Sequence, residues 1–170
     1  MTEPRPRKTG SKPIESITFD ETDRRILEIL QKDSDTPIQA ISEAVGLSTN
    51  PCWRRIKRME EAGVIKKRVV LVDQTRANVP LTVFIGVSTS HHEIDWLNKF
   101  RELIDEIPEV VEAYRLTGTV DYILKVVVPD MARYDAVYKQ MIQKLEFSQV
   151  NSMISMEELK FTTAIPTAYL

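Results

Sequence analysis

A chain of 170 residues, 42% hydrophobic and 28% charged, has the composition of a globular protein with one large or two small domains, and no stretch is long or apolar enough to suggest a membrane partner. The single cysteine, Cys52, excludes an intramolecular disulfide and, with only the adjacent His91 and His92 for company, leaves no zinc set; a reducing cytoplasm is the expected setting, and the N-terminus lacks a signal-peptide core. The formal net charge of −2 conceals a segregation: residues 1–70 carry 14 basic and 11 acidic residues, residues 71–170 carry 9 and 14. A basic half on an acidic half is the distribution of a nucleic-acid-binding head on a domain that avoids phosphates.

Residues 1–17 hold three prolines, a glycine and four basic residues with little to bury, and read as a mobile basic tail. A first helix is expected from Asp20, with Asp20 and Asp23 at its N-terminal end, Ile26, Leu27 and Leu30 as its buried stripe, and Asp33 to Asp35 as its stop. Pro37 to Lys67 then reads as two helices joined by a tight turn. Ile38, Ile41 and Val45 form one apolar stripe, and Cys52, Ile56 and Met59 the other. Thr36 is the expected cap of the first, Gly46 its left-handed stop, and Ser48 the cap of the second, with Pro51 in the first turn. Asn50, Arg54 and Lys57 lie within about 60° of one another, facing away from the Cys52 stripe. From Ser48 to Arg68 seven Lys or Arg, among them Arg55 and Arg58, stand against Glu60 and Glu61. This is the pattern of a helix-turn-helix over residues 18–65 whose second helix enters the major groove of double-stranded DNA, led by Ser48, Thr49 and Asn50. The plain alternative is a solvated surface helix.

Residues 66–79 change to an extended style around Val69 to Val72, a linker strand or small wing. Residues 80–170 then alternate strand and helix patterns. Val79 to Thr89 is a strand; Ser90 and Glu93 form a capping box before a helix with Trp96, Phe100, Leu103 and Ile107 inside; Pro108 closes it. Val110 to Leu116 and Asp121 to Val128 form an antiparallel pair about the turn Thr117 to Val120. Asp130 caps a helix with Tyr134, Tyr138, Met141 and Leu145 inside, and Asn151 to Phe161 is the last strand. The order β-α-β-β-α-β is that of a ferredoxin-like sandwich, so the fold class is α+β with a three-helix head. Tyr122, Leu124, Val126 and Val128 alternate with Ile123 and Val127, which leaves both sheet faces apolar while two helices cover one; a two-fold homodimer is the simplest cover for the other.

The segments DETDRRILEILQKD, AVGLSTNPCWRRIKRMEEAGVI, RLTGTVDYILKVVVPDMARY and MEELK resemble the Lrp/AsnC transcriptional regulators, also called feast/famine regulatory proteins, over about Phe19 to Phe161. The resemblance implies a homodimer that assembles into tetramers or octamers, and a small effector, an amino acid, bound between dimers. It implies DNA contacts from Ser48, Thr49, Asn50, Arg54 and Lys57, an effector site from Gly118, Thr119, Asp121, Tyr122, Met153, Ile154 and Ser155, and control of amino-acid metabolism or transport from the cytoplasm, at the nucleoid. Thr119, where many relatives are acidic, and Trp53, where many have a smaller aliphatic residue, depart from the family pattern; Trp53 is expected to pack on a helix flank. Read without the resemblance, the turn at Gly118 is a simple hairpin. An architectural DNA-binding protein without a metabolite is the alternative function. An enzyme is the weakest reading, since no phosphate loop, metal set or nucleophile with its base is legible, and no cofactor is expected.

Overall fold

The computed structural model describes residues 18–170 and forms two compact units, residues 18–70 with Phe161–Leu170, and Leu71–Lys160. The tail expected over 1–17 lies outside the described residues.

In the head, helix α1 spans Glu21–Lys32, α2 Ile38–Ala44 and α3 Thr49–Glu61. A reciprocal capping box opens α1: the Asp23 amide donates to Asp20 Oδ1 at 2.9 Å and the Asp20 amide to Asp23 Oδ2 at 3.1 Å. The two following helices end alike. Gly46 (φ 70°) and Gly63 (φ 73°) take the left-handed conformation, and the next residue reaches back five positions, Leu47 N to Ser42 O and Val64 N to Met59 O. Both are Schellman stops that only glycine occupies without strain. The starts of these helices differ from expectation. Thr36 Oγ1 donates to Asp33 O at 2.9 Å, drawn into the turn that closes α1, so Pro37 opens α2 without a side-chain cap. Ser48 has the extended backbone of a cap, but its hydroxyl makes no capping bond.

Ile26, Leu27, Ile41, Cys52, Ile56 and Met59 form the head's buried core, as the two stripes predict. Leu170 packs on it too. The last ten residues, expected within the second domain, lie along α1: Arg24 Nη2 donates to Leu170 O, the Gln31 side-chain amide exchanges two bonds with the Ile165 backbone (3.1 and 2.7 Å), and buried Thr167 donates to Glu28 at 3.0 Å. Residues 66–72 form no strand; Val69, Val70, Leu71 and Val72 are exposed.

The second unit is the βαββαβ sandwich, with β1 Leu81–Ser88, α4 Ile94–Asp105, β2 Val110–Arg115, β3 Tyr122–Val128, α5 Met131–Lys144 and β4 Gln149–Ile154 in an antiparallel sheet of order β2-β3-β1-β4. Val83, Ile85 and Val87 stand beside Val126, Leu124 and Tyr122, and this face is sealed by Trp96, Phe100 and Leu103 of α4 and Tyr134, Val137 and Met141 of α5. The Phe100 ring centroid lies 4.8 Å from that of Tyr122 and 5.1 Å from that of Trp96, distances at which aromatic pairs attract beyond their burial. Val137, which the predicted stripe omits, is buried, whereas Tyr138 and Leu145 are half-buried.

The opposite face presents Phe84, Gly86, Ile123, Val127, Tyr114 and Met153, crossed by a Lys125–Glu112 ion pair of 3.4 Å. Two local expectations fail for readable reasons. Glu93 itself opens α4, and the Ser90/Glu93 box is replaced by Thr89, whose hydroxyl accepts from the His91 amide at 3.0 Å. Strand β4 stops at Ile154 instead of running to Phe161 because β1 begins at Leu81; the last cross-strand bond is Ser155 N to Thr82 O.

Candidate DNA interface and effector turn

The polar side of α3 is open. Ser48, Thr49, Asn50, Arg54 and Lys57 are all exposed, while Cys52, Ile56 and Met59 are buried on the other side. Burial raises the Cys52 thiol above its ordinary value despite the nearby Arg55 guanidinium, which makes it a core residue and a poor nucleophile. A helix anchored by one apolar stripe can present the opposite residues as a rigid row of donors, as groove reading requires.

Arg55 and Arg58 are placed differently from Arg54 and Lys57. Arg55 Nη1 lies 2.8 Å from Asp20 and 2.9 Å from Asp23, and Arg58 Nη2 lies 2.6 Å from Asp23, whose side chain is 0% exposed. The Asp23 carboxylate thus closes the α1 cap and grips two arginines of α3 at once. Neither role is independent of the other. Asp20 is held below the ordinary carboxylate range, first by the Asp23 amide and then by Arg55, and Arg55 is raised by hydrogen bonds to Asp23 and Asp20. Sequence reasoning found the cap, because Asp20-x-x-Asp23 is local, but not the clamp, because its partners lie more than thirty residues away. Trp53 does not pack inward. It is 53% exposed, and Lys57 Nζ sits 5.1 Å from its ring centroid, a cation–π distance.

In the second unit, the turn between β2 and β3 is built around Gly118, whose φ of 127° disfavours any side chain. Leu116 N donates to Asp121 O, Asp121 N donates to Val87 O, and Asp121 Oδ2 accepts the Thr89 amide at 2.9 Å, so the carboxylate ties the turn to the end of β1. Val120 folds over Gly86; a Cβ at Gly86 would meet Val120 Cγ1 at 3.3 Å. That packing has a sequence signal in hindsight, a glycine inside an otherwise β-branched strand. Tyr122 points to the helix side and packs at a tilt against Phe100, beneath the turn and not into it.

The structure does not bring the two predicted effector segments together within one chain. Val87, beside Tyr122, pairs on its other side with Val150, while Met153 pairs with Phe84. Three residues along β1 separate the levels, about 10 Å. Gly118 and Thr119 are exposed at one end, and Met153 (51%) and Ile154 (46%) are exposed toward the other. Among the described residues no helix is long and apolar enough to cross a membrane.

Comparisons with known proteins agree with both halves of this geometry. The family model described as winged helix-turn-helix DNA-binding matches residues 19–66, and that of the Lrp/AsnC ligand binding domain matches residues 82–165. The chain is 42% identical over 148 residues to the glutamate uptake regulatory protein of Zymomonas mobilis, covering 87% of this chain and 90% of that one. It is 40% identical over 149 residues to the DNA-binding transcriptional activator DecR of Escherichia coli, covering 87% and 98%. Among solved structures, an AsnC family transcriptional regulator from Agrobacterium tumefaciens superposes with a TM-score of 0.86 at 52% identity, covering 89% and 99%. A transcriptional regulator of Neisseria meningitidis, solved as its L-Met complex, superposes with a TM-score of 0.85 at 31% identity over the same shares. With a helix-turn-helix whose last helix turns a basic face outward in one unit, a ferredoxin-like sandwich in the other, and relatives alike over nearly their whole length, the chain belongs to the Lrp/AsnC family of DNA-binding transcriptional regulators.

Proposed function

We propose that this regulator controls genes of amino-acid metabolism or transport and responds to an amino acid bound between dimers. The observation that carries the reading is α3, with its apolar stripe buried and Ser48, Thr49, Asn50, Arg54 and Lys57 turned outward together. In this reading those five residues meet bases and phosphates in the major groove, whereas Arg55 and Arg58 hold the helix at its angle through Asp20 and Asp23. Arg58, with 45% of its side chain exposed, adds charge toward the backbone. The protein works at the nucleoid, in the cytoplasm. Relatives named for glutamate uptake and a neighbour solved with L-Met support an amino-acid effector.

The effector site takes one segment from each of two protomers, since Gly118, Thr119 and Asp121 stand a strand's length from Met153, Ile154 and Ser155 in one chain. Asp121 spends one oxygen on Thr89; a carboxylate has about four lone-pair sites, and the remaining capacity accepts from an α-ammonium. The amides around Gly118 receive the α-carboxylate, and Tyr122 supports the turn from beneath. The sheet face bearing Phe84, Ile123 and Val127 pairs two protomers, and dimers assemble into a tetramer or octamer.

The test is a panel of the common amino acids against the full chain, scored by thermal midpoint and by affinity for its own upstream DNA. A ligand at a hundred times its dissociation constant stabilises by about 2.7 kcal/mol, a readily measured shift. A flat panel in both readouts, with DNA binding intact, overturns the effector and leaves the architectural reading. Arg54→Ala with Lys57→Ala should weaken DNA binding and lower the salt slope by about 0.9 for each phosphate no longer neutralised; an unchanged affinity would move the interface off α3.

A further inference from the structure

Trp53 is a large apolar side chain on the open side of the reading helix, 53% exposed, with only part of its ring covered by the Lys57 ammonium at 5.1 Å. By helical geometry it lies about 40° from Thr49 and Lys57 and about 60° from Asn50, on the flank opposite Arg55 and Arg58. The two flanks are therefore unlike. One is clamped to α1 by carboxylates, and the other carries an open indole. Thr49, Asn50 and Lys57 flank the indole with hydrogen-bonding groups and one cation, a setting that suits a polyanion offering an apolar group among acceptors. The major groove offers one such group, the C5-methyl of thymine.

Resting on the assignment of α3 as the DNA-reading helix, we propose that Trp53 is a specificity-determining residue that packs on a thymine methyl next to the bases met by Asn50 and Arg54. The Lys57 ammonium keeps the indole in one orientation, and in exchange the indole holds Lys57 close to the groove wall, so one pair serves both a base and a phosphate. Packing of this kind differs from plain electrostatics: it is blind to phosphate charge and sensitive to a single methyl group.

The experiment uses the full chain to select duplexes from a random-sequence pool, then replaces each thymine of the selected duplex by deoxyuridine, which removes the methyl and nothing else. Burying one methyl is worth about a fourfold change in affinity, so the wild-type protein should lose about fourfold at one thymine per half-site. In Trp53→Ala that position should become insensitive while other positions keep their effects, and Trp53→Phe should retain part of the sensitivity. Thermal midpoints of the variants should match the wild type, since the side chain is half-exposed. An identical deoxyuridine profile in wild type and Trp53→Ala overturns the proposal. Arg54→Ala with Lys57→Ala separates the two failures: if that pair loses affinity while the methyl profile ignores Trp53, the helix reads DNA without the indole, and if the pair binds normally the helix assignment itself falls.

Discussion

The two units of this regulator are held together by different physics. Among the described residues, the sandwich closes a core of fourteen buried apolar or aromatic side chains over one sheet face, including Trp96, Phe100, Tyr122 and Tyr134, whereas the apolar core of the head has six, the largest of them isoleucine, leucine and methionine. Small cores are marginal, and the head is reinforced by devices of its own: a buried carboxylate gripping two arginines, a capping box, two Schellman stops and the C-terminal decapeptide laid along α1. The difference teaches where each unit is vulnerable. The head fails by losing a charge or a terminus, the sandwich by a change of volume.

The sharpest way to break that contrast is Asp23→Ala, which deletes the clamp and half the capping box together. It should destabilise the head by about 2–4 kcal/mol, the sum of a charge-assisted network and a cap, while leaving the sandwich's unfolding unchanged. Calorimetry of the full chain checks this; a coincident shift of both units would make the contrast false. Next in size, ending the chain after Lys160 removes Leu170 from the head core and the bonds to Gln31, Glu28 and Arg24, and should cost about 2 kcal/mol in the head. Amide exchange in α1 should rise with it. No rise would mean that the segment rests on the head without supporting it.

For the sandwich the informative change is one of volume. Gly86→Ala places a methyl 3.3 Å from Val120 Cγ1, an overpacking worth about 1 kcal/mol that should be felt mainly as a displaced turn. Effector affinity should therefore fall more than stability does, and an equal fall in both would argue that Val120 only fills space. The smallest effect is titration in the head. Asp20 is held below its ordinary range, so at acid pH the unfolded chain binds the proton first and stability rises with pH. That contribution is complete above about pH 4, the unfolded carboxylate value, and is lost as pH falls through the lower folded value. Asp20→Asn should flatten this limb in a head-specific probe below about pH 4.

What the sequence determined by itself was most of what repeats locally, together with a helix stop and the spans of β1 and β3. Apolar spacing placed the stripes of Ile26 and Leu27, Cys52, Ile56 and Met59, and Trp96, Phe100 and Leu103. Gly46 marked a helix stop because a left-handed backbone strongly favours glycine, and β-branched alternation placed β1 and β3 to within two residues. The outward row of Asn50, Arg54 and Lys57 followed from the same periodicity. Caps were less legible: the Thr36 hydroxyl is drawn to Asp33 O, Ser90 stands three residues before the cap of its helix, and Ser48 holds the cap position without making the capping bond. Only the tertiary structure decided which basic residues are spent internally, since Arg55 and Arg58 look like Arg54 in sequence until Asp23 arrives from α1. Only it decided that Leu170 belongs to the head, that Trp53 stays outside, and that Tyr122 and Met153 stand about 10 Å apart along β1. Side-chain period is a property of neighbours in the chain, whereas an ion pair, a docked terminus and a strand register each join residues dozens of positions apart, and no local spacing encodes where such partners meet.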